Sequence, residues 1–413
     1  MNLKSFPQIL ALDIGSANIK AVVGATNKDG KLALLDAFRL PSRGIRKGLV
    51  DDGTDLTSAL NQAFIEIRRN HPEAQKNIYL NIGNAHTKVQ PSRGIVAVSR
   101  ADYQIYKDDI ARAVQAAQAI NLPPNRLVVH LINQEFIVDN VGGIKDPLGM
   151  VGSRLEVNSL IVDAFEPAVK TLLKVVETAG GQTAGLIFGP LACGQSVLTK
   201  NQKDLGVALI DIGFGTTGLA VYEEGKLLDV AVFPVGASNI TNDLAIGLKV
   251  SIEAAEAIKR SFGSALAKEV APREMVDLRK IDPRAKGAAS RRFVAEIMEA
   301  RLIEIFEFVN NELKRIGKAG RLPAGVVLVG GGAKLSGLVD LARQELKLPV
   351  QVGEVDLSGL HLPSSEFTIK VEDPEFACAL GLLLWSQQGS AEARPSATNF
   401  KEIFKRLSHY FLP

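Results

Sequence analysis

The chain carries one motif twice. Leu10–Val23 reads LALDIGSANIKAVV, and Val207–Val221 reads VALIDIGFGTTGLAV. Each copy runs from an apolar stretch to Asp, an apolar residue, Gly and a small-residue turn, then back into apolar residues. That is the pattern of strand, tight turn and strand, a β-hairpin with an acid at its turn. The echo continues at Asp29-Gly30-Lys31-Leu32 and Glu224-Gly225-Lys226-Leu227. Gly15 and Gly213 are 198 residues apart, and Gly30 and Gly225 are 195 apart. Nearly constant spacing at two landmarks argues for a duplicated α/β domain. Two such domains with facing acidic hairpins make a cleft that grips a phosphate chain from both sides.

At 413 residues the chain has room for two or three domains with ample core. A net charge of +3 is too small to imply a nucleic-acid partner. Cys193 and Cys378 lie in apolar surroundings and read as buried reduced thiols. The five histidines have no partner at ligand spacing, so no metal site built from protein ligands alone is visible. There is no signal-like N-terminal apolar run and no apolar stretch of membrane-spanning length, and the chain reads as cytoplasmic.

Residues 8–40 read as three strands, followed by a helix over 55–70 and a strand over 77–82. A different unit, 83–159, looks inserted. It has strands near 89–98, 127–131 and 134–138, a helix at 107–119 and a Gly/Pro-marked loop at 142–149. Leu160–Ala164 then resumes the apolar strand pattern, ahead of a helix (167–178), a strand (185–188) and a crossing helix (190–198). The second half repeats three strands over 207–235. Two helical pieces span 239–268, a polar basic stretch covers 268–291, and a long helix runs from 292 to 316. A strand (325–329), a glycine turn (330–332), a helix (337–346) and an apolar helix (376–385) complete it.

Three features carry chemistry. Gly15 and Ser16 in one turn, and Gly213, Gly215 and Thr216 in the other, let backbone N–H groups approach phosphate oxygens. Asp13 and Asp211 stand at the strand ends, where carboxylates hold Mg²⁺ through its waters, and Lys20 supplies a counter-charge. The run Val326–Lys334 ends a buried strand in Gly330, Gly331 and Gly332, a bare shelf for a base or ribose, with Lys334 beyond it. Glu256 and Lys259 share a helix face; alone they read as a surface ion pair worth about 0–1 kcal/mol. Residues 213–218 match GxGxxG literally, but a strand follows where a dinucleotide fingerprint needs a helix. No phosphate-binding GxxxxGK[ST] loop is present.

After a Ser/Ala/Pro-containing linker, Asn399 and Glu402 read as a capping box. Phe400, Ile403, Phe404, Leu407 and Phe411 then form one helical stripe, with Lys401, Lys405 and Arg406 off it. An apolar aromatic face beside a basic face is the pattern of a helix lying in an anionic membrane surface. A helix docked on the protein's own core is the plainer reading, and the linker argues against it.

DIGSANIK, PLACGQS, DIGFGTTG, AEAIK, VGGGAK and ACALG, in this order, resemble the actin-like ATPase superfamily. SRGIRKGLVDD (42–52), the 134–157 stretch and ITNDLAIGL (240–248) resemble more narrowly the FtsA family of bacterial cell-division proteins. The resemblance covers essentially the whole chain. It implies an actin-like (ribonuclease H-like) duplicated fold, each half a mixed five-stranded sheet flanked by helices. It places subdomain 1A at 1–82 plus 160–205 and the inserted 1C at 83–159. Subdomain 2A falls at 206–243 plus 319–385, 2B at 244–318, a linker at 386–397 and an amphipathic membrane helix at 398–413. It implies ATP and Mg²⁺ as ligands, with Asp13 and Asp211 supporting at most weak hydrolysis. It puts phosphate loops at Asp13–Lys20, including Asn18, and at Asp211–Thr217, including Phe214 and Thr217, an adenosine loop at Gly330–Gly332, and contacts from Glu256 and Lys259 to ribose and base. The implied partners are the C-terminal peptide of the tubulin-like protein FtsZ at Arg301 and Glu304, further copies in a filament, later divisome proteins and the anionic inner membrane. The implied location is peripheral, on the cytoplasmic face at the division site. Three departures, Gly189, Phe214 and Gly218, remove polar or small groups found in superfamily relatives and point to slow hydrolysis. A type IV pilus scaffold like PilM, or a small-molecule kinase, would be the rival reading.

Overall fold

A seven-residue run with every residue buried, β1 (Gln8–Ile14), forms the centre of the first sheet. The computed structural model describes residues 7–26, 31–285, 287–358, 360–362 and 371–388. β1 turns back at Gly15 into β2 (Asn18–Thr26), with Asp13 paired opposite Lys20, and β2 pairs with β3 (Leu32–Pro41). A short hairpin, β4 (Ile45–Arg46) and β5 (Leu49–Val50), precedes α1 (Gly53–Asn70). Asp52 starts that helix by accepting from the amides of Thr54 and Asp55, and Leu56, Leu60, Phe64 and Ile67 bury its inner face. β6 (Ile78–Ile82) lies parallel to β1, giving the mixed sheet its fourth strand.

The inserted unit is a four-stranded antiparallel sheet of β7 (Lys88–Ala97), β8 (Arg126–Val138), β9 (Val141–Ile144) and β10 (Arg154–Phe165), in the order β7-β10-β8-β9. It carries α2 (Lys107–Gln118) on one face. Two expectations change here. The strands expected at 127–131 and 134–138 are one strand, because a bulge opposite Asn158 and Ser159 accommodates Gln134 without breaking the ladder. The strand expected at 160–164 is the end of β10, so the expected boundary between residues 159 and 160 falls inside a continuous strand.

The chain then forms α3 (Glu166–Thr178), β11 (Thr183–Phe188), which completes the first sheet beside β6, and α4 (Gly189–Val197). After α5 (Lys200–Leu205), the second half repeats the plan with β12 (Val207–Ile212), β13 (Thr217–Glu223) and β14 (Lys226–Phe233). Helices α6 (Ala237–Leu248) and α7 (Ile252–Phe262) follow. The stretch expected to be merely polar holds a two-stranded ribbon, β15 (Met275–Asp277) with β16 (Ala288–Ser290). The 25-residue α8 (Arg291–Arg315) buries Val294, Met298, Leu302, Ile305, Val309 and Leu313 along one side. β17 (Val326–Val329), α9 (Leu338–Leu346), β18 (Val350–Val352) and α10 (Ala377–Gln388) finish the described chain. The sheet orders are β11-β6-β1-β2-β3 and β14-β13-β12-β17-β18, the same plan twice.

The halves are joined through one apolar cluster containing Ala11 and Val22 of the first sheet, Leu209 and Ala220 of the second, and α4 with α10. Those two helices touch backbone to backbone, since a Cβ on Gly381 would fall 1.8 Å from the Ala192 carbonyl oxygen. His130 of β8 sits at this junction, 3% exposed. Its Nε2 accepts the Phe188 amide at 3.0 Å, and its ring lies 5.4 Å from that of Trp385. Burial pushes the imidazole down from 6.5 to about 4. Between those values the unfolded chain binds a proton that the native protein refuses. Stability is therefore complete above pH 6.5 and declines as pH falls toward 4, by at most ~1.4 kcal/mol per pH unit. Thermal melts across that range should show this decline, and His130→Gln should flatten it; equal slopes in both proteins would remove His130 as its source.

Candidate functional site

A cleft of about 470 Å³ opens between the two halves, and the duplicated hairpins form its floor. Both turns are built alike: the Gly15 amide donates to the Asn18 carbonyl at 3.1 Å, and the Gly213 amide to the Thr216 carbonyl at 2.9 Å. The turns meet, because a Cβ on Gly215 would stand 2.7 Å from Ser16 Oγ and 3.0 Å from the Lys47 amide of the β4–β5 hairpin. The second turn is held from behind by α6, whose Ala237 and Ser238 amides donate to the Gly213 and Phe214 carbonyls. Gly15, Ser16, Asn18, Gly213, Phe214, Gly215 and Thr216 all line the cleft. Thr217 does not: it is fully buried, and its hydroxyl donates to the Val235 carbonyl at 2.9 Å.

The two acids have different surroundings. Asp13 accepts from Lys20 at 2.6 Å and from Asn81 Nδ2 at 2.7 Å. Asn81 in turn takes the Ile14 amide at 3.0 Å, which fixes the strand end. Burial opposes the Lys20 charge, but the Asp13 carboxylate beside it outweighs that, helped by Asp211, and holds the ammonium protonated. Among the described residues, the side-chain hydrogen bond to Asp211 comes from the Cys193 thiol, 3.7 Å from Oδ2. Burial pushes its carboxyl up to about 6, with Lys20 opposing and Asp13 adding to the rise. Cys193 and Cys378 are both buried and free.

On the opposite wall, Lys259 donates to Glu256 at 2.6 Å, to Thr241 Oγ1 at 2.9 Å and to the Ala237 carbonyl at 3.1 Å. That uses all three ammonium protons and fixes the Glu256 carboxylate at the cleft wall. Its ammonium also lies 5.4 Å from the centre of the Phe214 ring. Glu256 is held below the usual carboxylate range: burial alone would raise it, and Lys259, Thr241 and Arg260 together prevail. Gly330, Gly331 and Gly332 line the cleft, and neighbouring protein atoms also leave no room for side chains on two of them. Gly330 has φ +83°, and a Cβ there would fall 2.3 Å from Asp211 Oδ1, while one on Gly332 would fall 2.3 Å from Ile212 Cγ2. Lys334 is paired with Asp373 at 2.9 Å and with Glu375 at 2.6 Å.

Among the cleft residues that escaped the sequence reading are Arg39, Asn81, Arg260, Ser336 and Glu375. Asn81 is the penultimate residue of β6, the parallel neighbour of β1 in which Leu80 faces Leu12, so recognising that pairing would have placed it beside Asp13. Glu375 is an acid just before an apolar helix, the sort of outlier that marks a cleft. At the departures, a Cβ on Gly189 would meet nothing closer than 3.8 Å, whereas one on Gly218 would fall 2.8 Å from Pro190 Cγ. Gly218 therefore has no room for an acid. Arg301 holds Asp243 through Nε at 2.6 Å and Nη2 at 3.0 Å, and also pairs with Glu304, so its charge is already engaged between α6 and α8. The membrane residues Phe400, Lys401, Ile403, Phe404, Lys405, Arg406, Leu407 and Phe411 lie outside the described residues. Among those described, no helix is long and apolar enough to cross a membrane.

The family model "Cell division protein FtsA" matches residues 208–381, and "SHS2 domain inserted in FTSA" matches 84–163. The cell division protein FtsA of Pseudomonas aeruginosa is 34% identical over 95% of this chain and 92% of its own length. Among solved structures, the PilM-PilN type IV pilus biogenesis complex matches with a TM-score of 0.64 at 20% identity, covering 91% of this chain and 98% of the other. MreB 5 of Spiroplasma citri bound to AMPPNP matches at 0.52 and 14%, covering 98% and 99%. At those identities the structural likeness establishes the actin-like fold alone. Sequence identity over nearly the full length, together with the inserted sheet in its expected place, assigns the chain to the FtsA family of cell-division proteins.

Proposed function

We propose that the protein binds ATP with Mg²⁺ in the cleft and polymerises on the cytoplasmic face of the inner membrane. It tethers the FtsZ ring there through the amphipathic segment 398–413. The observation that carries the nucleotide reading is the meeting of two acid-bearing hairpins over one cleft. The residues fit the ligand. Small turns offer close backbone approach, and Lys20 stands between the acids as a counter-charge. Asp211, with a thiol as its near partner, has carboxylate capacity left for the waters of a hydrated dication, with Asp13 beside it. Mg²⁺, when bound, would neutralise phosphate charge. Glu256, oriented by Lys259, would accept from ribose hydroxyls. The AMPPNP carried by the MreB relative supports the same reading.

Hydrolysis would be slow. Gly189 contributes no side chain, and Pro190 fills the space an acid at 218 would need, so neither position orients an attacking water. The FtsZ C-terminal peptide would dock on the second half. Arg301 and Glu304 belong to that surface, and a peptide carboxylate would compete with Asp243 for the guanidinium.

Lys20→Ala leaves Asp13 and Asp211 facing each other without their cation, and should weaken Mg-ATP binding by at least about tenfold in calorimetry. Asp211→Asn should abolish the Mg²⁺ dependence of binding. Unchanged affinity in both would overturn the cleft assignment. The tether is tested by sedimentation with anionic vesicles. The full chain should pellet, and a chain ending at Ala397 should stay in solution. Equal behaviour of the two would refute membrane anchoring by the segment.

A further inference from the structure

At the rim of the cleft, Glu375 connects the two halves by ion pairs. Its Oε1 pairs with Lys334 of the glycine shelf at 2.6 Å, and its Oε2 with Arg39 of β3 at 3.4 Å. The carboxylate is only 10% exposed, against 41% for Lys334 and 38% for Arg39. The shelf side is built tightly. Asp373 also holds Lys334, the Glu375 amide donates to Asp373 Oδ1 at 2.9 Å, and the Gly330 amide donates to the Pro374 carbonyl at 3.0 Å. The Arg39 pair is longer and, among the described residues, Arg39 has no second carboxylate partner as Lys334 does, which makes it the side that can open. Arg39 is also the cross-strand neighbour of Lys20, whose other neighbour is Asp13. A line of charge thus runs from the acid at the cleft floor, through Lys20 and Arg39, to Glu375 and Lys334 on the other half.

The geometry points to Glu375 as a positioning residue whose pairing with Arg39 clasps the two halves and controls how fast nucleotide leaves. The clasp touches the shelf from the side: a Cβ on Gly331 would meet Glu375 Oε1 at 3.3 Å. Opening the Arg39 pair would free β3 from the shelf while leaving Lys334 neutralised by Asp373 and Glu375. This rests on the nucleotide reading above.

The test is stopped-flow release of a fluorescent ATP analogue from the full chain with Mg²⁺, from about 50 mM to about 500 mM KCl. Wild-type release should accelerate with salt, several-fold over the range. Arg39→Gln, at an exposed position, should release about threefold faster at low salt and lose the salt response. Glu375→Gln should release roughly tenfold faster, and the double variant no faster than Glu375→Gln alone. Additive effects, or an Arg39→Gln salt response equal to wild type, would overturn the clasp while leaving nucleotide binding intact. No binding by the wild-type chain would instead overturn the nucleotide reading, and the clasp with it. Thermal unfolding of the nucleotide-free variants separates a clasp from a structural defect: Arg39→Gln should melt with the wild type, and a matching loss of stability would assign its faster release to damage.

Discussion

The contact between α4 and α10 is the constraint on which the two-lobed arrangement depends. Gly381 lies directly on the Ala192 carbonyl, and no side chain fits between them. Around that contact, residues of both sheets share one apolar cluster. Two copies of a sheet could pack in many ways. This crossing selects the one in which both acid-bearing turns look into the same space. The chemistry of the cleft is therefore set by a helix contact made well outside the turns themselves.

Charge in the cleft is arranged by sharing. Each of its five cations, Lys20, Arg39, Lys259, Arg260 and Lys334, has a carboxylate partner. Unpaired buried cations would be costly and would tend to lose their protons. Pairing offsets that cost, and an arriving anion would redistribute existing interactions rather than fill bare positive sites. Asp211 is the exception among the acids. Its near neighbour is a thiol, and its carboxyl is displaced upward to about 6. The asymmetry between two residues in equivalent positions of a duplicated motif comes from what each half puts behind its turn: Asn81 and Lys20 in one, Cys193 in the other.

The repeat was readable because a strand–turn–strand with an invariant order of residue types leaves a local signature, and Asp13, Asp211 and the turn glycines follow from it directly. Local pattern also located most helices, as in α1, where spacing and an N-terminal acid agree. Long-range pairing was not readable. The bulge at Gln134 hid the continuity of β8, and β18 is three residues long. Side-chain commitments were equally hidden. Lys259, Lys334 and Arg301 look like cations available to a ligand or partner in one dimension, and only the packing of α6, α7 and α8 and the 373–375 segment shows their charges engaged at home. At the glycine shelf the sequence also hides a packing constraint, since Asp211 and Ile212 leave no room for a Cβ on Gly330 or Gly332.

Strand β10 belongs to three apolar clusters in turn. Leu155 and Val157 pack in the insert, Leu160 and Val162 in the core between the halves, and Ala164 beneath the first sheet. It is hydrogen-bonded on both sides for most of that length. Mechanically the insert is therefore a stiff arm rather than a domain on a tether. A force applied at its tip would run along one unbroken backbone into the core shared by the halves, and a displacement of that core would reappear, amplified by the length of the arm, at the far end of the insert.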